Sequence, residues 1–170
     1  MALQSSGAIS LAQVRNEFGG SNPTSLGEYR GAGIGIPSSG PISLSDFHGS
    51  TPWTHTITWG TANIGGSTYY GYMPGYAGSI STRNAEGYTV DWIGYAPAFN
   101  PNLTRVFILN KAPRPSSVKI TTNYGKSVNL PYSGTSDDGS GVYRVSSDSD
   151  PLGIYAKRGQ TIKAVIDIIL

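Results

Sequence analysis

Catalytic chemistry has little to work with in this chain. The only imidazoles are His48 and His55, and a Ser/His/Asp nucleophile needs one of them in a cleft beside an activated serine. No G-x-S-x-G turn is present to supply that serine. Cysteine is absent, which excludes disulfides and thiolate metal sites and leaves the redox compartment open. Six carboxylates, Glu86, Asp91, Asp137, Asp138, Asp148 and Asp150, are candidates for the paired acids of glycoside cleavage. Four of these six lie in the turn-like clusters SDDGSG and SDSD, where Asp is expected because it tolerates turn geometry. Those two clusters could offer oxygens to a Ca²⁺ ion, but the EF-hand order of ligands is missing, so no metal is expected. GAGIG at 31–35 neither follows a strand nor matches G-x-G-x-x-G, and reads as a flexible connector rather than a phosphate cradle. The expectation is a protein that is not an enzyme, with no catalytic residue and no cofactor.

Binding chemistry is better represented. YYGYMPGY places Tyr69, Tyr70, Tyr72 and Tyr76 within eight residues, and Trp53, Trp59, Tyr88, Trp92 and Tyr95 follow or precede at short range. Strand alternation puts Tyr70 and Tyr72 on one face and Tyr69 on the other, so some rings face solvent or a partner. Large rigid rings with a polar tip lose little entropy on contact. Tyr69, Tyr70, Tyr72 and Trp92 are therefore candidates for a surface that binds a glycan or a neighbouring protein, against the alternative that they form the core and rim of a β domain.

The elements that must carry these residues are strands. THTITWGT (54–61), STYYGYM (67–73), YTVDWIGYA (88–96), LTRVFILN (103–110), SVKITTNY (117–124), SVNLPY (127–132), GVYRVSS (141–147) and TIKAVIDIIL (161–170) are β-branched or aromatic runs. They are separated by GG, NAEG, NPN, APRP, SDDGSG and DSDPLG, which are turn sequences. The spacing predicts an antiparallel β-sandwich over 51–170. In the last run Ile162, Ile166 and Ile168 are expected inside. VFILN is apolar on both faces, with Val106 and Ile108 on one and Phe107 and Leu109 on the other, as suits a central strand.

Residues 1–50 follow a different grammar, repeated three times with irregular spacing. Ser10, Ser25 and Ser43 stand at helix N-cap positions and are followed three residues later by Gln13, Glu28 and Asp46, the capping-box arrangement. Leu11, Leu26 and Leu44 come directly after the caps, then Val14, Tyr29 and Phe47 at the fourth helical position and Arg15, Arg30 and His48 next to them. Gly31 and Gly49 stop the second and third turns at once. Isolated helices shorter than about 12 residues are unstable in water, so each turn needs a wall to lean on. This predicts an extended N-terminal arm without its own core. Its docking residues are Ser10, Leu11, Val14, Ser25, Leu26, Tyr29, Ser43, Leu44 and Phe47, lying against another protein or against the open end of the following domain.

SSGAISL (5–11), SLGEYRG (25–31) and SSGPISL (38–44) resemble a repeat of tailed-bacteriophage structural proteins, in which SSGxISL units precede a short helix ending in an aromatic residue and Gly. Over the rest of the chain only the Tyr/Gly-rich strands look similar to β modules attached to such repeats. The resemblance implies a non-enzymatic virion component of tail, fibre or neck, made in the host cytoplasm. It also implies other virion proteins as partners and self-association, a trimer among the forms open to it. A head decoration protein and a receptor- or glycan-binding module are the alternatives. Charge fits none of the nucleic-acid binders: 12 basic residues against 10 acidic ones give +2, and they are spread along the chain. MALQSSGAIS lacks the basic and apolar regions of a secretion signal. No run approaches the ~20 apolar residues of a membrane span.

Overall fold

The computed structural model describes residues 2–22, 24–97, 103–109, 111–147 and 149–170. Pro23, the expected turn at Asn100–Asn102, Asn110 at the end of LTRVFILN and the candidate acid Asp148 lie outside the described residues. The chain divides into two compact units, Met1–Trp53 and Thr54–Leu170. Thr51–Trp53 belong with the first unit, beyond the boundary expected at 50, because Ile34 donates its amide to the Thr51 carbonyl and Trp53 donates its amide to Ala32 and its indole to Gly31.

The three repeats of the first unit fold as helix α1 (Leu11–Phe18) and two 3₁₀ turns, Leu26–Tyr29 and Leu44–Phe47. At each start the later side chain reaches back to the cap amide: Gln13 Oε1, Glu28 Oε1 and Asp46 Oδ2 accept from the amides of Ser10, Ser25 and Ser43 at 2.8, 3.1 and 2.8 Å. In α1 the Ser10 hydroxyl also accepts from the Gln13 amide, at 3.3 Å. In the 3₁₀ turns that amide goes to the cap carbonyl instead, Glu28 to Ser25 and Asp46 to Ser43, as i→i+3 geometry requires.

An arm without a core was expected, and here the structure differs. Ile9, Val14, Tyr29, Ile36 and Phe47 form a buried cluster, with Leu3, Leu11, Phe18, Leu26, Ile42 and Leu44 packed around it. Phe18, Tyr29 and Phe47 meet edge to face in a triangle, with centroids 6.0, 5.8 and 5.9 Å apart, the range in which aromatic quadrupoles attract. The Tyr29 hydroxyl donates to Gly19 O at 2.8 Å. It comes so near that a Cβ on Gly20, whose φ is +120°, would lie 2.8 Å from it. The connector at 31–37 is likewise tied down: Gly31 donates to Pro37 O, Ile36 is buried, and Gly33 lies so close to Thr51 that a Cβ would fall 2.1 Å from its carbonyl oxygen.

The polar links of this unit close a ring. Counting from each cap serine, the residue three before it is Gly7, Asn22 or Gly40, and the residue five after it is Arg15, Arg30 or His48. Arg15 donates to Asn22 Oδ1, Arg30 donates to the Gly40 carbonyl, and the His48 Nε2 lies 2.7 Å from the Gly7 carbonyl. The first repeat thus holds the second, the second the third, and the third the first. The ends are fastened too, with Leu3 N donating to Ser50 O and Gly49 N to Gln4 O, each at 2.9 Å.

The second unit is built of β1 (His55–Thr58), β2 (Gly60–Ile64), β3 (Ser67–Tyr72), β4 (Ser79–Ile80), β5 (Asn84–Ala85), β6 (Tyr88–Ala96), β7 (Leu103–Ile108), β8 (Ser117–Thr122), β9 (Ser127–Thr135), β10 (Gly141–Ser146) and β11 (Thr161–Ile169). Every pairing is antiparallel, in the order β2-β3-β6-β7-β10-β9-β8-β11-β1-β4, with β5 beside β6. Only Trp59 separates β1 from β2, yet β1 pairs with β11 and β2 with β3. This one bent run therefore joins one end of the path to the strand next to its other end. The sheet curls into a nearly closed, barrel-like form, where two stacked sheets were expected. The long strand β9 bends in the same way, its first half on β8 and its second half on β10. Backbones touch at the first bend: a Cβ on Gly60 would lie 2.2 Å from Gly78 N.

Inside lie Ile57, Trp59, Val90, Ile93, Val106, Ile108, Val118, Ile120, Leu130, Tyr143, Ile162 and Ile166. Small barrels of this kind fill their interior with side chains. Leu152 and Ile154, from a segment expected only to turn, are fully buried as a plug. Ile168 is only half-buried, near the end of β11. Among the described residues no helix is long and apolar enough to cross a membrane.

Candidate functional site

The sheet sorts the aromatic candidates by parity. Tyr72 is buried at 6% exposure and Tyr70 packs against the same core, while Tyr69 turns outward. Tyr72 is therefore no stacking platform, because its ring is already enclosed. Tyr70 meets Tyr155 edge to face at 4.8 Å in a hollow of about 600 Å³ that also includes Tyr95, Lys126 and Asp150.

Tyr69 and Trp92 belong to a different and more continuous surface, the outer face of β3, β6 and β7. Trp92 on β6 pairs in register with Phe107 on β7, and their rings lie 4.7 Å apart with planes tilted by 31°. Tyr69 meets the indole edge to face at 5.5 Å. The indole can lie along the sheet because Gly94 is on the same face of β6: a Cβ there would fall 2.8–3.0 Å from the indole atoms Nε1, Cε2 and Cζ2. The Arg105 guanidinium carbon is 5.7 Å from the Trp92 centroid, within cation–π range. Burial lowers the Arg105 pKa, with Tyr69 opposing and Arg144 adding to the shift.

Two loops wall this aromatic floor and make a groove of about 640 Å³. One is the turn after β3, with Met73, Pro74 and Tyr76, whose ring is 70% exposed. The other is the β9–β10 hairpin turn, with Ser136, Asp137 and Asp138. Asp91 stands at the rim and is paired with Arg83. Asp138 accepts from the Ser136 hydroxyl at 2.5 Å and from the Ser140 amide at 3.0 Å, and these bonds hold its pKa below the ordinary carboxylate value. A carboxylate held ionised in this way is a poor general acid. Phe107, Arg105, Met73 and Tyr76 complete the groove and were not among the expected site residues. The pairing of β6 with β7 brings the first two in, and only register could have shown it.

The remaining candidates are used structurally. His55 is buried, its ring between the Thr54 hydroxyl at 2.7 Å and the Asn84 carbonyl at 3.1 Å, and burial lowers its pKa. Glu86 accepts from the Ile168 amide at 3.0 Å, and Asp150 from the Tyr155 amide at 2.6 Å. Among the described residues no three acid or imidazole groups come together as a metal site.

The expected docking residues fall into three sets. Val14, Tyr29 and Phe47 are enclosed in the first unit's own core, so they are corrected from anchors for a partner to anchors for one another. Ser10, Ser25 and Ser43 are exposed caps. Leu11, Leu26 and Leu44 are half-buried and keep some apolar surface outside. Compared with known proteins, the chain matches no family model, no curated protein and no solved structure.

Proposed function

We propose that this chain is a non-enzymatic structural protein of a tailed-bacteriophage virion, a tail, fibre or neck component that attaches through residues 1–53 and presents the β unit. The observation that carries the reading is the repeat. SSGAISL and SSGPISL resemble the units of phage structural proteins, and both copies place their glycine carbonyl and cap serine in equivalent bonds, Gly7 with His48 and Gly40 with Arg30. A motif whose glycine carbonyl and cap amide take equivalent partners in each copy suits a mounting module. With Tyr29 and Phe47 enclosed, the module keeps the half-buried Leu3, Leu11, Phe18, Leu26, Ile42 and Leu44 and its polar rim for attachment. Partners are then other virion proteins and further copies of the chain.

The test is incorporation. In the phage encoding this chain, the full-length protein should be found in purified particles, and a version lacking residues 1–53 should fold and be left behind in the lysate. Particles that never contain the chain would overturn the proposal, and particles that incorporate the shortened form equally well would overturn the attachment role. Localisation in a particle map separates a tail, fibre or neck position from head decoration.

A further inference from the structure

The outer groove of the β unit has three properties that together define a ligand class. Its floor is aromatic, with Trp92 in contact with Tyr69 at 5.5 Å on one side and with Phe107 at 4.7 Å on another. Its walls carry carboxylates, Asp91, Asp137 and Asp138, and a hydroxyl, Ser136. Its volume of about 640 Å³ lies within the ~300–1,000 Å³ typical of ligand sites. Rings stack on apolar C–H faces, whereas carboxylates accept hydrogen bonds from hydroxyl groups. A ligand that meets both demands has an apolar face and a girdle of hydroxyls.

We infer that this groove binds an uncharged oligosaccharide, with a sugar ring over the aromatic floor of Tyr69, Trp92 and Phe107 and its hydroxyls directed to Asp137 and Asp138. Charge decides against the other candidates. Asp137 and Asp138 on the hairpin wall repel sialylated, sulfated or phosphorylated glycans, and nucleic acids for the same reason. Arg83 neutralises Asp91, and Arg105 lies over the indole. A strand-forming peptide docks by adding to a sheet edge, but this groove runs over a sheet face; a proline-rich peptide does dock in aromatic grooves, and binding of such a peptide in place of every glycan would overturn the assignment. Asp138 commits Oδ1 to the Ser136 hydroxyl and the Ser140 amide, and its carboxylate serves as an acceptor for a ligand hydroxyl. This assignment is independent of the virion proposal, since it depends on the β unit's geometry alone.

The experiment is a glycan array of uncharged and anionic oligosaccharides probed with the full-length chain, followed by titration of the best uncharged hit. Trp92→Ala is expected to weaken binding at least tenfold, and Tyr76→Ala and Asp137→Asn several-fold. Tyr155→Ala, in the other hollow, should leave it unchanged. Tyr76 and Asp137 are exposed, so their variants remain informative if Trp92→Ala disturbs the sheet. The inference is overturned by absence of binding to every uncharged glycan, by preference for anionic ones, or by binding that survives Tyr76→Ala and Asp137→Asn unchanged. A change in oligomeric mass in these variants, without glycan binding, would show instead that the groove is a protein interface.

Discussion

Phe47→Ala tests whether the first unit stands on its own core. Phe47 is fully buried and touches Phe18 and Tyr29 edge to face at 5.8 and 5.9 Å. Truncating a buried Phe costs about 3–5 kcal/mol, the lost transfer energy plus the cavity left behind. A unit spanning Met1–Trp53 has a total stability of about 3–8 kcal/mol at the usual ~0.05–0.15 kcal/mol per residue. The substitution therefore removes from over a third to all of it. At about 1.4 kcal/mol per factor of ten, the open fraction rises roughly 10²–10⁴-fold. Hydrogen exchange read by mass spectrometry on the full chain should show that acceleration in peptides covering 9–50. Peptides from β6 to β11, whose core is separate, should exchange as before. If the 9–50 amides are unprotected in the parent chain, or keep full protection in the variant, the core assigned to the repeats does not exist as described. Equal acceleration in both units would refute their independence.

His48→Ala should open the ring at its closure, costing about 0.5–1.5 kcal/mol for the lost hydrogen bonding to Gly7 O; faster exchange confined to residues 3–10 is the readout. Gly60→Ala should destabilise the barrel-like sheet by several kcal/mol and lower its Tm by about 10 °C or more, because the new Cβ would lie 2.2 Å from Gly78 N and the backbones at the bend must part; calorimetry measures it. Asp167 has its pKa raised by burial and then by Glu86, against the opposing Lys119. The folded state therefore binds that proton more tightly than the unfolded chain, and stability is lost as pH rises through the window above the unfolded value of about 3.9. Asp167→Asn should thus raise Tm at neutral pH, with the gain vanishing in acid. His55 acts with the opposite sign: its lowered pKa means that stability falls as pH drops below the unfolded value of about 6.5.

Eight strand runs were legible because period-two alternation and turn chemistry are local, and each run is found in β1–β2, β3 or β6–β11. The Tyr69/Tyr70/Tyr72 parity was legible for the same reason. Closure of the sheet was not: it depends on Trp59 turning one run from β11 to β3, a consequence of long-range pairing. The plug of Leu152 and Ile154 was hidden inside a turn-rich sequence that shows two apolar residues and no strand length. The groove was half visible. Tyr69 and Trp92 stood out by type, while Phe107 and Arg105 read as ordinary strand residues until register set them beside the indole.

The repeats show how a correct local argument can give an incomplete global one. A four-residue 3₁₀ turn with one leucine and one aromatic residue has too little apolar surface to hold itself together, so each repeat requires a wall. The inference that the wall is foreign assumed that the repeats do not meet. They do meet, because the Gly-, Pro- and Ser-rich connectors turn the chain back on itself, and three rings are enough to satisfy one another's edges and faces. The number matters: with Arg15, Arg30 and His48 each donating forward, only the third repeat finds Gly7 and leaves no link open. A closed unit of this kind has no hydrophobic compulsion to dock. In the proposed attachment role the contact would come from the half-buried apolar residues around this core, Leu11, Leu26 and Leu44 among them, and from polar groups, a contact set whose strength is tuned by geometry at the joint rather than by unmet burial.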